Sequence, residues 1–194
     1  MSDAATRERV QPRRRNAEAT RAAILEAAKA QFARAGYDLT SLRDIAADAG
    51  ADVALIKRYF GGKEALFSEA LKASFQPEFL QGLDRRAFPL EVATMMAGPA
   101  RADEARSHTF QFLLRAATSP TTAPLLNVAI QERFLGPIRD WIGGEAAPAR
   151  ARVLAAIYIG FLVERLIRDE PLKGAEREAF IAHAASVLEA MVRP

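Results

Sequence analysis

The stretch "DAGADVALIKRYFGGKEALF", residues 48–67, decides the fold. Between Gly50 and the pair Gly61-Gly62 it leaves room for a helix of about ten residues, near the lower end for globular helices. Ile56 and Phe60 lie four apart and share a face, with Val53 one turn earlier. Lys57, Arg58 and Tyr59 crowd the remainder. So small an apolar face anchors a helix without filling a core. A helix that lies in the DNA major groove has that requirement: the groove is about 12 Å wide, and only three or four side chains need reach base edges.

Outward from this stretch the pattern is helical. Residues 17–35 read as a first helix, with Asn16 as N-cap, Gly36 as the stop and an inward stripe of Ile24, Ala28 and Phe32, with Leu25 alongside. In "DLTSLRDIAADAG", residues 38–50, Thr40 is placed to cap a second helix whose Leu42, Ile45, Ala46 and Ala49 face inward. Ala46 permits close helix approach, and Gly50 supplies a positive-φ turn. Asp52 caps the third helix, Gly61-Gly62 turns the chain, and a fourth helix runs over 63–75. Helix, tight Gly turn and short helix form a helix-turn-helix. The competing reading is a three-helix bundle that merely contains short helices and glycine turns.

Composition bounds the rest. The 194 residues suffice for a sizeable core and include no cysteine, which excludes disulfides, thiolate metal sites and cysteine nucleophiles. His108 and His183 stand far apart without ligand spacing, so no metal site and no cofactor are expected. No glycine-rich phosphate loop or nucleophile–base arrangement marks an enzyme. The longest uncharged apolar run, residues 153–163, falls short of the roughly 18 residues that span a bilayer, and no secretion signal is visible. The expectation is a cytoplasmic protein without a membrane partner. Residues 1–75 carry 13 Lys/Arg against 10 Asp/Glu, whereas residues 76–194 carry 14 of each. The whole excess lies in the first third, much of it in "RERVQPRRR", residues 7–15. A basic, disordered arm over 1–15 fits a polyanionic partner or a simple solvated tail.

Beyond Pro77 the helical pieces are 79–84, 90–97, 103–118, 122–141 with a kink at Gly136-Pro137, 149–168 and 176–192. The 149–168 helix is apolar on several faces, with Val153, Leu154, Ile157, Phe161 and Leu162 as its main stripe and Gly160 on another side. Such a helix is buried twice. The last helix adds Phe180, Ala184, Val187, Leu188 and Met191. A second copy is the simplest partner, giving a two-fold four-helix interface; the competing reading is a monomer with one deep core. Met95, Met96, His108, Phe110, Gln111, Leu114, Leu126, Ile130 and Phe134 could line an apolar pocket with a few polar groups, or could simply be core.

Residues 16–75 resemble the N-terminal domain of the TetR family of transcriptional regulators. The resemblance rests on "TRAAILEAAKAQFARAGYDLTSLRDIAADAG" and "ALIKRYFGGKEALF", through Phe32, Gly36, Tyr37, Thr40, Arg43, Ile45-Ala46, Ala49-Gly50, Tyr59-Phe60 and Lys63-Glu64. It implies an all-α chain with a helix-turn-helix domain over 16–62, a connecting helix over 63–75 and a ligand-binding and dimerisation domain over 76–194. It also implies that Thr40 contacts phosphate, that Arg43 reaches phosphate or a base edge, and that Val53, Ala54, Lys57 and Arg58 present the reading face. Tyr59 and Lys63 would clamp phosphate, Lys63 at a helix N-terminus that itself favours an anion. Alternatively, Arg43 pairs with Asp44 or Asp48, and Tyr59 is a core ring. Leu55 and Lys57 depart from the family pattern: a small or hydroxyl residue is usual at the first and tyrosine at the second. Leu55 could pack on a thymine methyl, and Lys57 could contact guanine or phosphate. Arg13, Arg14 and Arg15 could enter a minor groove.

Together these readings describe a homodimeric DNA-binding transcriptional regulator, a repressor on a palindromic operator released by a small apolar or amphipathic effector. The alternative is a helical interaction protein of the same fold without specific operator binding.

Overall fold

The computed structural model describes the backbone of residues 4–75, 84–99, 104–168 and 170–193, and the side chains of these except 4–15 and 104–108. Among the described residues the chain is all-α. The described residues form, in order, α1 (Ala4–Leu39), α2 (Leu42–Asp48), α3 (Val53–Phe60), α4 (Lys63–Ser74), α5 (Phe88–Met96), α6 (Glu104–Thr118), α7 (Ala123–Ile130), α8 (Gly136–Ile142), α9 (Ala147–Arg168) and α10 (Gly174–Val192). The helix expected over 79–84 falls mostly on residues 76–83, outside the described residues.

The chain forms two compact units. The first holds the residues up to Ser74 together with Gln111–Leu126. Its core takes Ile24, Ala28 and Phe32 from α1, Ile45 and Ala46 from α2, Ile56 and Phe60 from α3, and Leu66, Phe67, Ala70 and Leu71 from α4. Phe32 meets Phe67 edge-on at 4.8 Å, and Phe67 meets Phe112 edge-on at 5.4 Å. This geometry aligns ring edges with ring faces and adds to the burial itself. The expected stripe on α1 is thus the one buried. Gly36 interrupts α1 at φ 79, ψ 173, ending the regular helix where a left-handed residue is required.

Two expectations for α1 are corrected. Residues 4–15 are not an unstructured arm: their backbone continues the helix. Alanine, arginine, glutamate and glutamine are good helix formers, and an existing helix extends without a new nucleus; this outweighs Pro12, which has no N–H to give to the ladder. Asn16 therefore lies inside α1, where its carbonyl accepts a 2.8 Å bond from the Thr20 hydroxyl, and does not cap it. The side chains of Arg13, Arg14 and Arg15 lie outside the described residues.

The second unit holds residues 75–110 and those from Asn127 onward. Phe88, Val92 and Met96 of α5 pack with Ile138 and Ile142 of α8, Ala151 and Leu154 of α9, and Leu188 and Val192 of α10. The C-terminal end of α5 is tied down from α9: Arg165 donates to the carbonyls of Gly98 (3.3 Å) and Pro99, and Arg168 donates to Met96 at 2.8 Å. The Arg168 bond satisfies a carbonyl that the helix end leaves without an intrahelical partner, and the Arg165 bonds hold the segment just beyond it. The kink expected at Gly136-Pro137 takes the form of a π-helical turn over Gln131–Leu135, in which the Gly136 N–H reaches back five residues to the Gln131 carbonyl. Pro137 has no N–H to continue the normal ladder, so the ring widens in the turn before it.

Candidate nucleic-acid interface

The helix-turn-helix is built from local caps. Ser41 is the N-cap of α2: its hydroxyl accepts the Asp44 N–H at 3.1 Å, and the Asp44 carboxylate accepts the Ser41 N–H at 3.2 Å. The Ser41 hydroxyl also donates to that carboxylate at 2.6 Å. These bonds from Ser41, side chain first and backbone second, hold the Asp44 carboxyl below the usual carboxylate range. Thr40, expected as the cap and a phosphate contact, is corrected on both counts. It is 3% exposed, and its hydroxyl donates to the Gly36 carbonyl at 2.7 Å and the Gln31 carbonyl at 3.3 Å. A hydroxyl turned into the core cannot meet a phosphate, and its neighbour Ser41 takes the surface position.

Gly50 adopts φ 60 at the turn, and the Ala51 N–H closes it on the Ala46 carbonyl at 2.9 Å. Asp52 then caps α3, accepting the Ala54 N–H at 2.6 Å, and left-handed Gly61 ends it with a 2.9 Å bond to the Lys57 carbonyl. Ile56 and Phe60 are buried and hold α3 against the core, as their spacing implies. Ala54, Lys57 and Arg58 are exposed; Val53, Leu55 and Tyr59 are half-buried. Lys57 and Arg58 make no ion pair or side-chain hydrogen bond among the described residues.

Arg43 is exposed on α2, and the pairing considered for it is not made. Asp44 is bound to Ser41, while Asp48 accepts the Gln31 side-chain amide at 2.6 Å and lies 4.0 Å from Arg34. With both neighbouring carboxylates engaged, the Arg43 guanidinium has no partner among the described residues. Lys63 is different. Its ammonium sits 4.4 Å from the centre of the Tyr37 ring and donates to the Asp38 carbonyl at 3.4 Å, so it braces the start of α4 against the end of α1 beyond Gly36. Burial, then the charges of Glu64 and Asp38, push the Tyr37 phenol up from its ordinary value. Beside Lys63, an open groove of about 740 Å³ is lined by Arg21, Tyr59, Phe60, Glu64 and Glu69 among others. Arg21 lies 4.7 Å over the Phe60 ring and pairs with Glu69 at 3.1 Å.

The other expected sites divide. Of the pocket candidates, Met95, Met96, Phe110, Ile130 and Phe134 fall in the second unit, and Gln111, Leu114 and Leu126 in the first. Met96, Phe110 and Leu126 are buried, and Gln111 is exposed. The side chain of His108 lies outside the described residues. Phe134 is half-buried, 5.7 Å from Phe75 and 6.4 Å from Tyr158. Of the expected interface, Val153, Gly160 and Val187 are exposed, whereas Ile157, Phe161, Phe180 and Met191 are half-buried. Ala184 and Leu188 are corrected: both are buried in the chain's own second unit. The open apolar surface of α9 also includes Ile159 and Ile167, which the sequence pattern alone did not single out.

Comparison with known proteins agrees with this geometry. The model for bacterial regulatory proteins of the tetR family matches residues 24–70, and the model for the tetracyclin repressor-like C-terminal domain matches residues 92–192. The HTH-type transcriptional repressor SCO4008 of Streptomyces coelicolor is 47% identical over 58 residues, a match that spans 30% of each chain. Among solved structures, NalD, the secondary repressor of the MexAB-OprM multidrug efflux pump in Pseudomonas aeruginosa, has a TM-score of 0.59 at 22% identity, covering 91% of this chain and 98% of that one. A transcriptional regulator from Rhodococcus sp. Rha1 has a TM-score of 0.57 at 21% identity, covering 88% and 94%. At these identities the structures speak for the fold, and the family models for the membership. With a capped helix-turn-helix presenting Arg43, Lys57 and Arg58, and with family models covering both parts of the chain, the protein belongs to the TetR family of bacterial regulatory proteins and is a DNA-binding transcriptional regulator.

Proposed function

We propose that the protein is a repressor that binds a palindromic operator as a homodimer in the cytoplasm and is released by a small apolar or amphipathic effector. The observation that carries the DNA contact face is the state of the charges around the turn. Every carboxylate on α2 and at the start of α3 is engaged by a cap or by Gln31, while Arg43, Lys57 and Arg58 are exposed. A polyanion approaching this side meets cations without internal competitors. In this reading Arg43 and Lys57 contact phosphate or base edges, Ala54 and the exposed part of Val53 and Leu55 pack on bases, and Ser41 and Tyr59 contact the backbone. Lys63 reaches phosphate by leaving the Tyr37 ring. Arg13–Arg15, about three turns into α1, add sequence-independent attraction.

The pairing surface is the open apolar strip of α9 and α10, centred on Val153, Gly160, Ile167 and Val187. Two linked heads would meet successive major grooves on one face of a duplex, so the operator would be an inverted repeat. The effector would bind in the second unit, where half-buried Met95, Phe134 and Tyr158 offer apolar surface. It would act only by favouring a head arrangement that does not fit DNA. SCO4008 and NalD are named as repressors, which supports repression as the mode of this chain.

The test uses a duplex selected from randomised DNA. Arg43→Ala and Lys57→Ala should each weaken binding by about 10-fold or more, with a salt slope shallower by about one for each phosphate no longer neutralised. Unchanged affinity and slope in both variants would remove this contact face.

A further inference from the structure

Gln31 does something the contact face does not explain. It is a polar residue on α1 at 5% exposure, and it holds both ends of the neighbouring helix α2. At the leading end, its backbone carbonyl accepts the Thr40 hydroxyl at 3.3 Å, one residue before the Ser41 cap. At the trailing end, its side-chain amide donates to the Asp48 carboxylate at 2.6 Å. Asp48 is the last residue of α2 and stands two residues before the Gly50 turn that launches α3. A carboxylate there lies at the negative end of the α2 dipole, which disfavours it. The charge-assisted bond from Gln31 and the nearby Arg34 at 4.0 Å offset that.

We infer that Gln31 is a positioning residue for DNA recognition, fixing the angle of α2 on α1 and, through the Gly50 turn, the direction in which α3 projects. The apolar contacts of Ile45 and Ala46 are non-directional and tolerate rotation of α2 about its contact line. The short hydrogen bond from Gln31 to Asp48 does not, because its length and direction are both restricted. Recognition by side chains that must match base edges depends on that angle, whereas general attraction to phosphate does not. The inference rests on the DNA-contact reading above.

The experiment compares wild type, Gln31→Glu, Asp48→Asn and the double variant. Each is measured for affinity to the selected duplex and to a scrambled duplex of equal length, with melting temperature recorded alongside. The ratio of the two affinities cancels the general effect of net charge. Gln31→Glu sets two carboxylates against each other and should lower the ratio about tenfold. The double variant has the wild-type net charge and restores an amide–carboxylate bond in reverse, so its ratio should return to within about threefold of wild type. Should Gln31→Glu fail to fold, Gln31→Leu removes the donor without adding charge and should lower the ratio in the same direction. An unchanged ratio in the folded single variant, or a ratio that stays low in the double, overturns the inference, as does a lowered melting temperature with no change in ratio. A wild-type protein that does not distinguish the two duplexes defeats the DNA-contact reading instead.

Discussion

At the scale of single residues, the head is organised by short polar side chains that satisfy helix ends. Asp52 and Gly50 are legible in the sequence because a cap and a left-handed turn are local requirements, set by φ/ψ and by the nearest free N–H groups. Thr40 and Ser41 are not separable in the same way. Both are hydroxyl residues at the start of α2, and which one caps depends on which is turned toward α1, a tertiary fact. The Ser41–Asp44 box leads to a prediction. Ser41→Ala should destabilise the protein by about 1 kcal/mol, the usual cost of losing an N-cap side chain, as read from chemical unfolding. The pH dependence follows from the lowered Asp44 pKa. A carboxylate with a depressed folded-state value stabilises above its unfolded pKa of 3.8, and that stabilisation is lost as pH falls through the folded value. Wild type should therefore lose stability in this acid range more steeply than Ser41→Ala. Parallel acid limbs for the two proteins would show that the box does not operate in solution.

At the scale of elements, hydrophobic spacing identifies which stripes exist but not what buries them. Ile24, Ala28 and Phe32 on α1, and Ile56 and Phe60 on α3, behave as their spacing implies, since each helix has one apolar face and one neighbour core. On α10 the same reasoning assigns Ala184 and Leu188 to a second copy, whereas α5 and α9 of the chain itself pack against α10 and Leu188 is buried in that core. The π-turn is visible in the sequence only as a Gly-Pro break, because the residues do not say whether the ladder stops or widens. Gly160 shows what remains open. It lies within α9, exposed, and a Cβ added there meets nothing within 4 Å. Glycine in a helix interior costs about 1 kcal/mol relative to alanine, and no close contact among the described residues offsets that. If a second copy packs closely over this point, Gly160→Ala should raise the melting temperature of the dilute protomer while weakening self-association about tenfold, as read by sedimentation equilibrium. Stabilisation with unchanged association would move the pairing surface away from Gly160. Within the first unit, Phe67→Ala should remove the edge-on packing against Phe32 and Phe112 and destabilise by about 3–5 kcal/mol, measured by urea unfolding.

At the scale of the molecule, charge and exposed apolar surface are unevenly distributed, and the proposed function gives each a role. All the net positive charge falls in the first 75 residues, where the helix-turn-helix lies. Exposed apolar side chains such as Val153, Ile167 and Val187 lie on the two long C-terminal helices. One head alone offers few cations and a short reading helix, so binding by a single copy should be weak and strongly salt-dependent. Pairing raises the effective concentration of the second head once the first is bound. In the proposed function two copies read one inverted repeat. Its most direct test is the stoichiometry on a duplex recovered by selection from randomised DNA, measured by native mass spectrometry or sedimentation. The account predicts an enriched inverted repeat carrying an even number of chains, with loss of binding when one half-site is scrambled. Recovery of no repeat, or a single chain bound as tightly to one half-site as to the full duplex, would contradict it.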